Sequence, residues 1–153
     1  MANDRDISVL NSLTTTTIDS ALGFERSAED AEAGRFAQLF RDFGAERRQV
    51  VAMLQDQVRA LGGTPADDGS LIADMHRRWV DQRAAIAGGG GDKAIVEEVE
   101  RGEDYLKAKY EAALADTGLS PPSLETIRAA FQSVRAGHDK ASQLKHGMAG
   151  AEL

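Results

Sequence analysis

The stretch "EEVERGEDYLKAKYEAALADTGLSPPSLETIRAAF", residues 97–131, contains two amphipathic helical segments and the break between them. In its first half, positions 99, 103, 106, 110 and 113 fall on one helical face, and all of them except Glu103 are apolar. In its second half, apolar residues again recur in steps of three and four. Between the halves, Gly118 interrupts the pattern, Ser120 is a suitable N-cap, and Pro121 fits a first helical turn. The short break predicts that the two helices form an antiparallel hairpin.

The same periodicity predicts four long helices and one short helix in the whole chain. Only three prolines occur, all between periodic segments, so the composition favours an all-α domain. The predicted helices span about 4–32, 35–61, 71–87, 93–116 and 121–146, with a turn at Gly34 and breaks at 62–70 and at the four glycines 88–91.

The two short turns give two antiparallel hairpins, and residues 62–91 connect them. This pattern predicts a ferritin-like four-helix bundle with a shorter fifth helix in the crossover connection. An up-and-down five-helix bundle is the alternative. We expect one domain over residues 1–147 and a flexible C-terminal tail over 148–153.

Composition narrows the classes of partner. The net charge of −7 argues against nucleic acid, because binding phosphates requires basic residues. No cluster of basic residues suits an anionic membrane, and no apolar run approaches the roughly 18 residues of a membrane span. Without cysteine, the chain has no disulfides or thiolate ligands. With no recognisable signal peptide, we expect a soluble, cytoplasmic protein. We also expect the protein to form a homo-oligomer.

Ionisable side chains interrupt the apolar face of every long helix. Burial of a carboxylate is costly unless it is paired, protonated or bound to a metal. Facing residues in each hairpin place several of these groups at similar levels, so their convergence would build a carboxylate and imidazole metal site inside the bundle. The candidate metal ligands are Glu103, His138, Glu46, Asp19, Glu25 and Glu100.

The chain resembles a bacterial family of four-helix-bundle proteins of unknown function in the ferritin-like superfamily. The segments that carry the resemblance are "TIDSALGFERSAED" (17–30), "LGGTPADDGSLIADMHRRW" (61–79), "DKAIVEEVERGEDYLKAKYEAAL" (92–114) and "VRAGHD" (134–139). The superfamily's di-iron members use Glu-x-x-His on one helix of each hairpin. The resemblance therefore implies iron, or another divalent metal, and oxidation of Fe(II) by oxygen or peroxide. This chain departs from the pattern, since Gln49 follows Glu46 and Arg135 precedes His138 at the corresponding spacing.

Two functional hypotheses follow. The first is a bundle protein, expected to be associated with stress, that keeps a degenerate or single-metal site. The second is a non-enzymatic oligomeric interaction or scaffold protein without metal. In that case the inward glutamates form salt bridges with Arg47 or Arg135, His138 is a hydrogen-bonded core residue, and Trp79 supports assembly.

Overall fold

The computed structural model describes residues 2–30, 34–67 and 91–151. Within this part of the chain the structure is all-α, with no strand. Its helices are α1 (Ala2–Asp30), α2 (Gly34–Ala60), α3 (Gly91–Leu114) and α4 (Pro121–Ala151). The prediction of an all-helical protein is confirmed.

The four long helices begin and end close to their predicted limits, with one exception. The last helix was expected to end near His146, yet α4 continues to Ala151. The sequence after His146 contains no proline, and alanine favours helix, so nothing local stops it. The flexibility of the tail stays a prediction. The predicted short helix over 71–87 lies outside the described residues.

Hydrogen bonds fix the relative directions of the helices. On α1, Arg5 binds Asp116 and Ser20 binds Glu103, so α1 and α3 are antiparallel. On α2, Gln57 binds Ser123 and Arg47 binds Val134, so α2 and α4 are antiparallel as well. Since α1–α2 and α3–α4 form the hairpins, each helix packs on two others, with α2 and α3 on one diagonal of the bundle. The ferritin-like bundle and the up-and-down five-helix bundle predicted from the sequence both have these helix directions. The two predictions differ only in the connection that includes residues 68–90.

The core is formed by the predicted apolar faces, and it includes the two threonines that the helical spacing of α1 places on the same side. Thr14 and Thr17 are fully buried, and each hydroxyl donates to the carbonyl four residues earlier at 2.7 Å. This bond satisfies the hydroxyl within the helix, so burial carries no unpaired polar group. The main apolar cluster comprises Leu10, Leu13, Val50, Leu54, Val58, Leu106, Tyr110, Ala113, Leu119, Ile127, Ala130 and Val134.

Local sequence features mark the C-terminal end of α2 and the N-terminal end of α4. Gly62 has φ of 83° and terminates α2, as predicted from its left-handed preference. Ser120 occupies the predicted N-cap position, since its carbonyl oxygen accepts a hydrogen bond from the amide of Leu124 at 3.0 Å, and Asp6 of α1 holds it there. The buried carboxylate of Asp6 accepts hydrogen bonds from the amide of Ser120 at 3.2 Å and from the hydroxyl of Ser123 at 2.9 Å. In the described part of the chain, no helix is both long and apolar enough to cross a membrane.

Candidate functional site

A buried ion pair between Arg47 on α2 and Glu103 on α3 lies inside the bundle. Arg47 Nη2 donates to Glu103 Oε2, and both side chains are only 2% exposed. The same nitrogen lies 3.3 Å from the carbonyl oxygen of Val134 on α4. On α1, Ser20 donates to Glu103 Oε1 at 3.2 Å, and the Phe24 ring centroid lies 5.6 Å from the guanidinium carbon. All four described helices therefore meet at this pair.

The position of Arg47 follows from the periodicity of α2. Its buried apolar residues include Phe43, Val50 and Leu54, and position 47 continues their spacing of three and four. The pattern therefore contained the signal that identifies Arg47 as a core residue. Sequence reasoning placed Glu46 there instead. That orientation is wrong, because Glu46 is exposed and lies roughly 100° around the helix from Arg47.

Gly137 on α4 makes room for the guanidinium. A Cβ atom at this position would lie 2.3 Å from Arg47 Nη2 and 3.4 Å from Glu103 Oε2. Such a short approach is incompatible with the present position of the arginine. The absence of a side chain at Gly137 thus allows Arg47 to reach the Val134 carbonyl.

Burial dominates the electrostatics of the pair. Desolvation raises the pKa of Glu103 above its ordinary value, although the charge of Arg47 and the hydrogen bond from Ser20 act to lower it. One nitrogen of the guanidinium, Arg47 Nη1, is buried and has no hydrogen-bond partner within the described residues. A second buried polar contact lies nearby. The Thr17 hydroxyl already donates to Leu13, so Tyr110 donates to Thr17 Oγ1 at 2.7 Å.

Two of the other predicted ligands, His138 and Glu25, form their hydrogen bonds with side chains other than Glu103. His138 Nε2 lies 2.5 Å from Asp104 Oδ1, and its Nδ1 lies 3.4 Å from Asp139 Oδ1. Glu25 is 41% exposed and accepts two hydrogen bonds from Arg48 through Oε1, at 2.8 and 3.0 Å.

Two candidates remain on the helices without a described contact to the pair. Asp19 is partly buried on α1, directly before Ser20. The backbone of Glu100 belongs to α3, but its side chain lies outside the described part of the structure. The predicted partner Arg135 is exposed, so the salt bridge of Glu103 is made by the other arginine considered, Arg47.

These contacts do not fit a di-iron centre. Such a centre requires several carboxylates and imidazoles around two cations, whereas here Glu103 already faces a guanidinium. Among the side chains that the structure describes, those of residues 3–29, 37–67 and 101–140, no three from His, Asp or Glu lie close enough together to hold a metal ion.

The fold and the site together define a helical-bundle protein whose interior is joined by an arginine–glutamate pair. A family model described as a domain of unknown function, DUF2383, matches residues 5–116. The chain therefore belongs to the DUF2383 family, and the prediction of a family of unknown function is confirmed. The matched region includes Arg47 and Glu103 and ends before α4. A search of curated proteins returned no match.

Proposed function

We propose that this protein is a ferritin-like bundle that acts by association rather than by catalysis, as a homo-oligomeric interaction or scaffold protein of the cytoplasm. Its inward charges form salt bridges and hold no metal. The four long helices in two antiparallel hairpins support the ferritin-like part of the proposal, and the five-helix alternative shares this arrangement. The resemblance to the ferritin-like superfamily supports it too.

The observation that carries the proposal is the Arg47–Glu103 pair. Glu103 is the most deeply buried of the candidate ligands whose side chains are described, at 2% exposure. Its negative charge is balanced by an arginine, which stays protonated in proteins. A metal ion at Glu103 would have to approach a fixed positive charge that is already hydrogen-bonded to the carboxylate.

The test is metal binding by the purified protein after addition of Fe(II) under argon. We expect no iron to remain after desalting, and no oxygen uptake that depends on Fe(II). Glu103→Ala is the comparison variant, since it removes the only deeply buried ligand among the candidates whose side chains are described. Iron bound by the wild type and lost in Glu103→Ala would contradict the proposal.

A single-metal site is the second candidate, and the geometry of His138 favours it. Its Nε2 faces the Asp104 carboxylate at 2.5 Å, and imidazole with carboxylate is a common pair of metal ligands. This candidate predicts about one divalent ion per chain that disappears in His138→Ala. Metal content measured on both variants separates the two proposals.

Association has its own experiment. Light scattering of the wild type is expected to give a mass above 16.4 kDa, the mass of one chain. Trp79→Ala is expected to reduce that mass, whereas a chelator is expected to leave it unchanged. A wild type that stays monomeric over the accessible concentrations would contradict the association part of the proposal.

A further inference from the structure

We infer that the interior of this bundle contains a cation-binding site, and that the guanidinium of Arg47 is the cation that fills it, in a space left by Gly137. The inference rests on the proposed function, which has no metal in the bundle. It identifies the group that occupies the position of a metal ion, the Arg47 guanidinium, and the residue that leaves room for it, Gly137. It also assigns a ligand class to the site once Arg47 is removed, namely a small cation bound by oxygen atoms.

The first line of support is the set of oxygen atoms near the guanidinium. Glu103 Oε2 and the carbonyl oxygen of Val134 both accept from Nη2, and Ser20 holds the other oxygen of the carboxylate. Carboxylate and carbonyl oxygens are ligands that hard cations prefer. The two oxygens that face Nη2 come from α3 and α4, and Ser20 of α1 orients the carboxylate.

The second line of support is the match between Arg47 and Gly137. The longest basic side chain in the core faces a residue without a side chain on the opposing helix, and an added Cβ would lie 2.3 Å from the guanidinium nitrogen. A methyl group would also come within 3.4 Å of Glu103 Oε2. The two positions therefore act as one unit: a small residue at 137 is required because a guanidinium occupies the site.

The third step concerns charge. Removal of the Arg47 side chain leaves the carboxylate of Glu103 buried at 2% exposure without its counterion. An isolated buried carboxylate is strongly disfavoured, so any small cation that reaches it stabilises the folded state. If Arg47 served only to fill space, its removal would leave no carboxylate in need of a counterion.

The main experiment measures thermal unfolding of Arg47→Ala with and without millimolar guanidinium or Mn²⁺. We expect both cations to raise the midpoint of Arg47→Ala and neither to raise that of the wild type. The control is Arg47→Ala combined with Glu103→Leu, which has the same cavity without the carboxylate. Stabilisation that persists in this control, or that is absent from Arg47→Ala, would overturn the inference.

A second measurement covers the case in which Arg47→Ala does not fold. Gly137→Ala is introduced into the wild type and into a background with Arg47→Met and Glu103→Leu. We expect it to reduce the folding equilibrium constant roughly tenfold or more in the wild type, because the methyl group displaces the guanidinium. In the uncharged background the reduction should be less than about threefold, since Met adapts its shape. Equal effects in both backgrounds would show that Gly137 does not serve Arg47.

The outcomes also separate this inference from the proposed function. Iron bound by the wild type contradicts the proposed function directly. A metal-free wild type whose Arg47→Ala variant ignores both cations leaves the proposed function standing and overturns only the inference.

Discussion

Replacing Glu103 with leucine is expected to destabilise the protein far more than the loss of an ordinary hydrogen bond. The substitution leaves the Arg47 guanidinium buried at 2% exposure without a counterion. Its Nη1 atom already lacks a partner within the described residues, so this nitrogen does not compensate for the lost carboxylate. Breaking a buried ion pair from one side costs about 3–5 kcal/mol. That is a large share of the roughly 5–15 kcal/mol by which domains are stable.

Arg47→Met should have a comparable cost, since it leaves Glu103 as the uncompensated charge. The effects of the two substitutions on the free energy of unfolding should not be additive. With both charges gone, the junction is apolar, and such replacements are often neutral or stabilising by about 1–4 kcal/mol. The coupling between the two positions is therefore expected to be several kcal/mol and opposite in sign to the single effects.

The measurement is urea unfolding of the four proteins of this cycle, followed by circular dichroism at neutral pH. The neighbouring pair of Arg48 and Glu25 supplies a matched control, because these side chains are 47% and 41% exposed. Removing either of them should cost at most about 1 kcal/mol. If Glu103→Leu costs no more than Glu25→Leu, the reasoning about burial is refuted. A double variant as unstable as the sum of its parts would refute the coupling.

Three further predictions concern other groups. Burial raises the pKa of Tyr110 to about 12, so the folded state favours the neutral phenol. Stability should then fall by about 2–3 kcal/mol as the pH rises from below 10 to above 12, and Tyr110→Phe, measured by urea unfolding at each pH, should remove that fall. For Asp6, burial acts to raise the pKa, but hydrogen bonds from Ser120 and Ser123 outweigh it and lower the pKa. Its stabilisation is therefore present above the ordinary aspartate pKa near 3.9 and is lost as the pH falls through the lower folded value. Asp6→Asn should reduce this loss of stability at acid pH in unfolding curves. An unchanged pH profile would contradict the stabilising role of the Asp6 carboxylate. Glu46→Ala should change stability by no more than about 0.5 kcal/mol in the same assay, since its side chain is exposed.

Helix positions were predictable because glycine, proline and capping residues mark the helix ends and act locally. The turn around Gly118 and Pro121 defined the second hairpin, and α4 begins at Pro121 as expected. The end of α4 was less predictable, since the residues after His146 permit helix without requiring it.

The centre of the candidate site was harder to predict than the helices. Glu103 was identified correctly as an inward residue because Val99, four residues before it, and Leu106, three residues after it, are apolar. On α2, both Glu46 and Arg47 lie close to apolar positions. Only the actual packing shows that the buried face passes through Arg47. The role of Asp6 was also invisible in the sequence, because this residue of α1 binds the N-terminal end of a helix more than a hundred positions later.

Polar contacts between the two hairpins explain how these helices select one register. At one end Asp6 binds Ser120 and Ser123; further along α1, Thr17 binds Tyr110, and Ser20 binds Glu103. At 1.5 Å per residue, these three levels lie roughly 16 Å and 4.5 Å apart along α1.

A slip of one helical turn moves a helix by about 5.4 Å, whereas a hydrogen bond tolerates only a few tenths of an ångström. Apolar faces tolerate such a slip, since leucine, valine and alanine exchange places at modest cost. The buried polar groups do not, because a slip leaves all of them unpaired at once. The Arg47–Glu103 pair extends this selection to α2 and α4, so one ion pair in the interior helps to determine how all four described helices align.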